Sequence, residues 1–328
     1  MRITLSLLLA AGLAACSATE TETPEEETPV EAAAAETEAP AEEEAAEDVP
    51  APPSQDIYLY ALSWDGDTPA LGDQIGRIGD EGYDNQPFFT IDGGVLYTSA
   101  GENGNTDIWR YDLASGESAQ LTDTPDASEY SPKVPPSEGA LSYLYQPPGG
   151  YAGNAYLADD GNANPRAAHA LAPVGYYEFS ADLRYVATFY LGEPDSGNPF
   201  TLQLIDRSTA PETVTQIAEN PGRTFWRDPR GTGVYHSLAD ADGNHTVHYL
   251  DFRAAEDTPL FAMPEGVEDF VSAGLPTDGV AFLSTSNGQL VYWNGDAWTE
   301  AGDISALAGA TRLAISPDLS VIAIVAEE

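Results

Sequence analysis

Apolar and polar positions along this chain alternate in short runs, and from residue 56 onward the runs come in groups of four. The stretch from Pro87 to Thr122, PFFTIDGGVLYTSAGENGNTDIWRYDLASGESAQLT, shows the unit. FFT leads into the turn Ile91-Asp92-Gly93-Gly94, and VLYTS follows it. The polar loop GENGN then leads into IWRYDL, and Ser115-Gly116-Glu117 leads into AQLT. Runs rich in β-branched and aromatic residues, bounded by Gly, Pro, Asn and Asp, predict strands. No stretch of this region sustains a helical period over three turns.

Two landmarks repeat. The turn Ile91-Asp92-Gly93 has counterparts at Ser137-Glu138-Gly139, Ala181-Asp182-Leu183, Pro229-Arg230-Gly231, Thr277-Asp278-Gly279 and Pro317-Asp318-Leu319, spaced by 46, 44, 48, 48 and 40 residues. The alternating strand IWRYDL has counterparts beginning at Asp56, Asn154, Phe200, His245 and Gln289. The strand landmark comes first in the chain and the turn landmark comes last. The chain therefore opens on the outer half of a unit and ends on the inner half. Pairing those halves closes a ring and leaves no bare sheet edge at the ends. Six units over residues 56–328 average about 45 residues, the length of a four-stranded propeller blade. The predicted fold is all-β: a six-bladed β-propeller whose N- and C-terminal strands close the ring.

The first 55 residues follow a different pattern. Arg2 precedes an apolar run from Ile3 to Ala11, which is too short to span a bilayer as a helix and has the layout of a secretory signal. The run closes on Leu13-Ala14-Ala15-Cys16, which is similar to a bacterial lipobox. That similarity implies a signal peptide over 1–15 and lipidation of Cys16, the only cysteine in the chain. The chain is then expected at the cell envelope, anchored through Cys16 in the outer membrane and facing either side of it. Residues 17–55 hold 13 carboxylates and no basic residue. Such a segment buries too little apolar surface to offset its ordering entropy, so 16–55 reads as a disordered acidic linker of about 35 Å mean span.

Composition narrows the partners. With 54 acidic and 12 basic side chains the net charge is −42, and Lys133 is the only lysine. Nucleic acid requires a basic footprint, so nucleic-acid binding is excluded. One cysteine permits no intrachain disulfide, and the fold must rest on its core.

The stretch DNQPFFTIDGGVLYTSAGENGNTDIWRYDLASGESAQLT, from Asp84 to Thr122, resembles the repeat of TolB-like propellers, a WD-repeat-like group. The likeness returns at Glu178–Asp182 (EFSAD) and Ala314–Asp318 (AISPD) and is degenerate over Ser131–Gly139 and Pro221–Gly279. It covers the propeller and neither the tether nor an added domain. It implies the fold; propellers host many unrelated functions.

Few residues point to catalysis. His245 and His248 stand three apart on a predicted strand, so they face opposite sides and cannot share an ion. His169 and His236 complete the histidines, and neither a metal site nor a cofactor is predicted. No Gly-x-Ser-x-Gly elbow is present. Asp240-Ala-Asp242-Gly243-Asn244 has the opening spacing of a calcium loop, but Asp251 stands where the bidentate glutamate belongs. A turn is the better reading. What remains is surface. Alignment on the turns places Tyr83, Asp84, Glu129, Tyr130, Tyr176, Tyr177, Arg223, Asp269, Phe270 and Arg312 around the channel mouth. Tyrosine and arginine favour interfaces. The expected function is a non-catalytic, monomeric binding or scaffold module for an envelope protein. The alternative is a propeller that binds or degrades polysaccharide.

Overall fold

Residues 54–79, 82–101, 104–137, 140–150, 152–193 and 196–328 are described by the computed structural model. The signal segment, Cys16 and the tether up to residue 53 lie outside the described residues, as do Glu138 and Gly139 of the second landmark turn.

The chain enters on β1 (Gln55–Asp65) and β2 (Thr68–Ile78). Blade 1 holds β3 (Asp84–Phe89), β4 (Gly94–Ala100), β5 (Thr106–Asp112) and β6 (Ser118–Gln120). Blade 2 holds β7 (Ser128–Lys133), β8 (Leu141–Gln146), β9 (Asn154–Asp159) and β10 (Ala163–Ala167). Blade 3 holds β11 (Val174–Phe179), β12 (Tyr185–Tyr190), β13 (Thr201–Asp206) and β14 (Thr213–Glu219). Blade 4 holds β15 (Pro221–Arg227), β16 (Gly233–Ala239), β17 (His245–Asp251) and β18 (Glu256–Ala262). Blade 5 holds β19 (Phe270–Gly274), β20 (Val280–Ser286), β21 (Gln289–Trp293) and β22 (Trp298–Asp303). The chain ends on β23 (Leu313–Ile315) and β24 (Val321–Glu327), and blade 6 has the order β2-β1-β24-β23. The predicted closure is therefore real. β1 lies antiparallel on β24 from Gln55↔Glu327 to Ala61↔Val321. Each blade is a four-stranded antiparallel meander, and the six form the propeller.

The landmark turns have a shared chemistry. Ser180 Oγ donates to Asp182 Oδ1 at 2.7 Å and accepts from the Tyr185 amide at 2.9 Å. Ser316 and Asp318 repeat this, with Ser316 Oγ accepting from the Val321 amide at 2.9 Å. Thr90 and Asp92 form the same pair in blade 1, with the Gly94 amide on Thr90 Oγ1 at 2.9 Å. The residue after the aspartate is left-handed in all three: Gly93 at φ +84°, Leu183 at +56° and Leu319 at +64°. Glycine adopts this conformation without steric cost. Leu183, at 4% exposure, offsets the strain by burial instead.

Burial follows position within the blade. Second strands such as β12 (YVATFY) and β24 (VIAIVAE) are buried over five consecutive residues, because a neighbouring blade covers each face. Outer strands such as β6 and β14 face solvent along most of their length. The period of two then distributes each second strand between two interfaces. Ile322 and Ile324 of β24 pack with Val271, Leu283 and Leu290 of blade 5. Ala323 and Val325, between them, pack with Phe89, Val95 and Tyr97 of blade 1. Among the described residues the core consists of six apolar clusters, one at each blade–blade interface.

Two predictions follow from this packing. Ile57→Ala, fully buried at the closing seam, should cost about 2–5 kcal/mol in urea denaturation. Ile75→Ala, 54% exposed on β2, should change stability by no more than about 0.5 kcal/mol. Equal effects would mean that the seam is not packed. The second concerns His169, which is 4% exposed. Burial, with the Arg207 charge adding to it, pulls its imidazole down to about 4. The unfolded chain binds this proton at about pH 6.5. Stability from the neutral ring is therefore full above that pH and is lost as pH falls toward 4, by about 3 kcal/mol. His169→Gln should remove this part of the acid slope, measured as the difference between the two stability curves from pH 7 to pH 4. Parallel curves would refute the assignment.

Candidate functional site

The six inner strands, β3, β7, β11, β15, β19 and β23, converge on the channel. β3, β7, β11 and β15 each carry a β-bulge near its mouth, between Asn85 and Phe88, Tyr130 and Lys133, Val174 and Tyr176, and Pro221 and Phe225. A bulge re-aims side chains beyond what simple alternation allows. Gln86 (φ +57°) and Ser131 (φ +51°) sit within two of these bulges, and the Ser131 amide donates to Gln86 Oε1 at 2.6 Å. Bulge thus holds bulge across adjacent blades.

The resulting cavity has a volume of about 80 Å³ and is bounded by residues of all six inner strands or the residues just before them. Trp226 packs against three of the inter-blade clusters and donates Nε1–H to the Phe270 carbonyl at 2.8 Å. Deeper still, Lys133 Nζ donates to Glu178 Oε2 at 2.6 Å and to the Phe225 carbonyl at 3.2 Å, and Arg227 lies 3.5 Å from the other Glu178 oxygen. The chain's only lysine is thus placed inside the propeller.

Arg312 is the centre of the mouth. Its Nη1 donates to Asn85 Oδ1 at 3.0 Å and its Nη2 to Tyr176 Oη at 2.8 Å, while the guanidinium lies 5.5 Å from the Tyr176 ring centroid. Tyr176 is held in turn by an edge contact with Phe189. Burial raises the Tyr83 phenol, with Arg312 opposing the rise and Tyr176 and Tyr130 close enough to add to it. Burial also works to lower the Arg312 guanidinium, but Tyr176, Asp269 and Tyr83 together hold it above its ordinary value, so it stays a cation. Arg223, on the rim, pairs with Glu268 and lies 3.8 Å from Asp269. Asp269 is raised by its burial and accepts from Thr224 Oγ1 at 3.1 Å.

The ten predicted residues divide. Tyr83, Tyr130, Tyr176, Arg223, Asp269 and Arg312 come together at the mouth. Of their neighbours in sequence, Asp84 and Glu129 turn away, while Tyr177 and Phe270 border the cavity but pack into its wall, because adjacent strand residues point to opposite sides. Tyr177 is 1% exposed, with its hydroxyl 2.6 Å from Ser142 Oγ and 3.1 Å from the Ser131 carbonyl. Phe270 is 1% exposed in the cluster between blades 4 and 5. Asp84 is buried close to Asp56, beside Gly79. Glu129 is fully buried between blades 1 and 2, accepting from Thr124 Oγ1 at 2.5 Å and Thr122 Oγ1 at 3.2 Å. These four offer a partner little or no surface. Asn85, Lys133, Glu178, Trp226 and Arg227 were missed by alignment on the turns. The sole lysine in so acidic a chain was the one signal available.

The other candidate chemistry resolves locally. Asp240 Oδ1 accepts from the Asp242 and Asn244 amides, both at 2.9 Å, so this loop is a self-bonded turn. His245 turns to Ser237, while His248 and His236 both bond to Asp257, at 2.8 and 2.9 Å. Burial works to raise Asp257, but the two histidines hold it well below the usual carboxylate range. Among the described residues no three His, Cys, Asp or Glu side chains gather to hold a metal ion.

This architecture is similar to solved propellers. TolB from Acinetobacter baumannii superposes with a TM-score of 0.52 at 11% identity, covering 84% of this chain and 64% of that one. A putative TolB from Agrobacterium tumefaciens gives 0.58 at 15% identity, over 84% of this chain and 98% of that one. This chain thus spans less than two thirds of the Acinetobacter protein. At these identities the likeness is one of fold. No protein-family model and no curated protein matches the sequence.

Glu129 supplies a pH prediction. Its burial, with the Asp107 carboxyl beside it, pushes it up to about 7 against the pull of the Thr124 and Thr122 hydroxyls. Raised above its unfolded value, the neutral acid stabilises the fold at low pH, and that stability is lost as pH rises through 7. Glu129→Gln should match the parent near pH 4 and exceed it by about 1–3 kcal/mol at pH 8 in chemical denaturation. A variant less stable at both values would mean the carboxylate is stabilising when ionised.

Proposed function

We propose that this chain is a lipid-anchored cell-envelope protein that binds a protein partner, without catalysis, through the channel mouth. The observation that carries the reading is the mouth itself. Tyr176, Arg223 and Arg312 line a recess that Trp226 and Lys133 also border, and Tyr83 and Tyr130 stand close to Tyr176 and Arg312. Side chains fixed by hydrogen bonds and ring contacts, as Arg312 and Tyr176 are, present a preorganised surface. Tyrosine and arginine are the residues that carry binding energy at such surfaces. Anchoring at Cys16 rests on the lipobox, since among the described residues no helix is long and apolar enough to cross a membrane. The acidic linker provides reach from the membrane surface. A monomer suffices for this role.

The test is crosslinking of the lipidated full chain in its native envelope, from both sides of the outer membrane, followed by mass spectrometry. One protein should be recovered in stoichiometric amount. Tyr130→Ala and Tyr176→Phe should each weaken its capture by about tenfold or more, the behaviour of interface hot spots. Recovery of glycan in place of protein would reject the reading in favour of a polysaccharide-binding propeller.

A further inference from the structure

The sign of charge at the mouth is opposite to that of the chain. Of the residues that line the cavity, Lys133, Arg223 and Arg312 are basic and only Asp269 is acidic. The whole chain has 12 basic against 54 acidic side chains, so this reversal is a local feature. Two of the three cations are matched by carboxylates, Lys133 by Glu178 and Arg223 by Glu268. Arg312 is different. Its hydrogen bonds go to the neutral Asn85 and Tyr176, and among the described residues no carboxylate forms an ion pair with it. Asp269 acts on it only from beyond contact distance.

A guanidinium carries five N–H donors in a planar fork that matches a carboxylate. Low-dielectric walls focus the field of such a cation into the recess. The recess is narrow: about 80 Å³ corresponds to about six water molecules, so it takes roughly six heavy atoms. A carboxymethyl group fits that space.

Building on the protein-binding reading above, we propose that the channel mouth takes a carboxylate from the acidic end of an extended polypeptide, seated on Arg312 between Tyr83, Tyr130 and Tyr176. The Tyr176 ring flanks the incoming group, and the carboxylate supplies the direct ion pair that Arg312 does not make with Asp269.

The test uses the full chain in detergent and calorimetric titration with N-acetyl-Gly-Gly-Asp bearing both free carboxylates, against its uncharged Asn C-terminal amide. The charged peptide should bind at least about tenfold more tightly, each tenfold being about 1.4 kcal/mol. Arg312→Gln should abolish the preference. Arg312→Lys, which keeps the charge without the fork, should reduce it. Arg110→Gln, on the outer part of blade 1, should leave it unchanged. If Arg312→Gln does not fold, Tyr176→Phe and the parent chain still decide the matter. Equal binding of the two peptides, or no binding of either at millimolar concentration, overturns the proposal, and so does tighter binding of glucuronate than of the peptide. An envelope partner lost on Tyr130→Ala but retained by Arg312→Gln would overturn the carboxylate and leave the protein-binding reading intact. A clear peptide preference with no protein recovered from the envelope would do the reverse.

Discussion

One antiparallel pairing, β1 on β24, holds the ring closed, and the other interfaces depend on it. The second strand of a blade is buried on both faces only if a neighbour stands on each side. Ile322 and Ile324 serve blade 5 while Ala323 and Val325 serve blade 1, all from a single strand whose own partner is Gln55–Ala61. Opening the ring at this seam would uncover apolar residues of two blades at once. The hydrophobic term is proportional to area removed from water, so closure stabilises the whole ring. It also pairs the edges that the two chain ends would otherwise leave open.

Closure sets the geometry of the channel. Six inner strands meet around an axis, and bulges in four of them re-aim selected side chains. Trp226 and Lys133, which is paired with Glu178, line the cavity left between them. A buried ion pair requires compensating hydrogen bonds to offset its desolvation. Lys133 obtains one from the Phe225 carbonyl, and Glu178 gains the Phe179 amide at 3.0 Å. The wall of the channel is therefore a bonded, fixed part of the structure. That is what makes it a platform for recognition.

The mouth also shows how a chain of net charge −42 arranges its few cations. Arg312 is retained as a cation by two tyrosines and a buried aspartate. Arg223 is matched at the rim. Other buried carboxylates have their own partners: Glu129 beneath two threonines, Asp228 with Thr232 and Arg230, and Asp56 with Arg77. The carboxylates that lie inside the fold are thus held by hydroxyls or cations. Around the cavity the basic side chains outnumber the acidic ones.

The chain by itself determined the blade count, the phase of the repeat and the closure, because each is written in short-range signals. The Ser/Thr-x-Asp turns satisfy their own hydrogen bonds within five residues. A hydrophobic run over a second strand reports burial on both faces wherever it lies. The same periodicity located the inner strands and brought six of ten candidate residues to the mouth. Only the tertiary structure decided which member of each adjacent pair enters the channel. Tyr176 turns in and Tyr177 turns into the wall, and Tyr130 and Glu129 divide in the same way. Strand alternation separates the two members of each pair, and the register of each inner strand, shifted by a bulge in four of the six, decides which one faces the axis. It also decided that Lys133, Glu178 and Trp226 meet although they lie 45 residues or more apart. Local signals specify a unit; the meeting of residues from different units is set by the angle and radius at which six of them close.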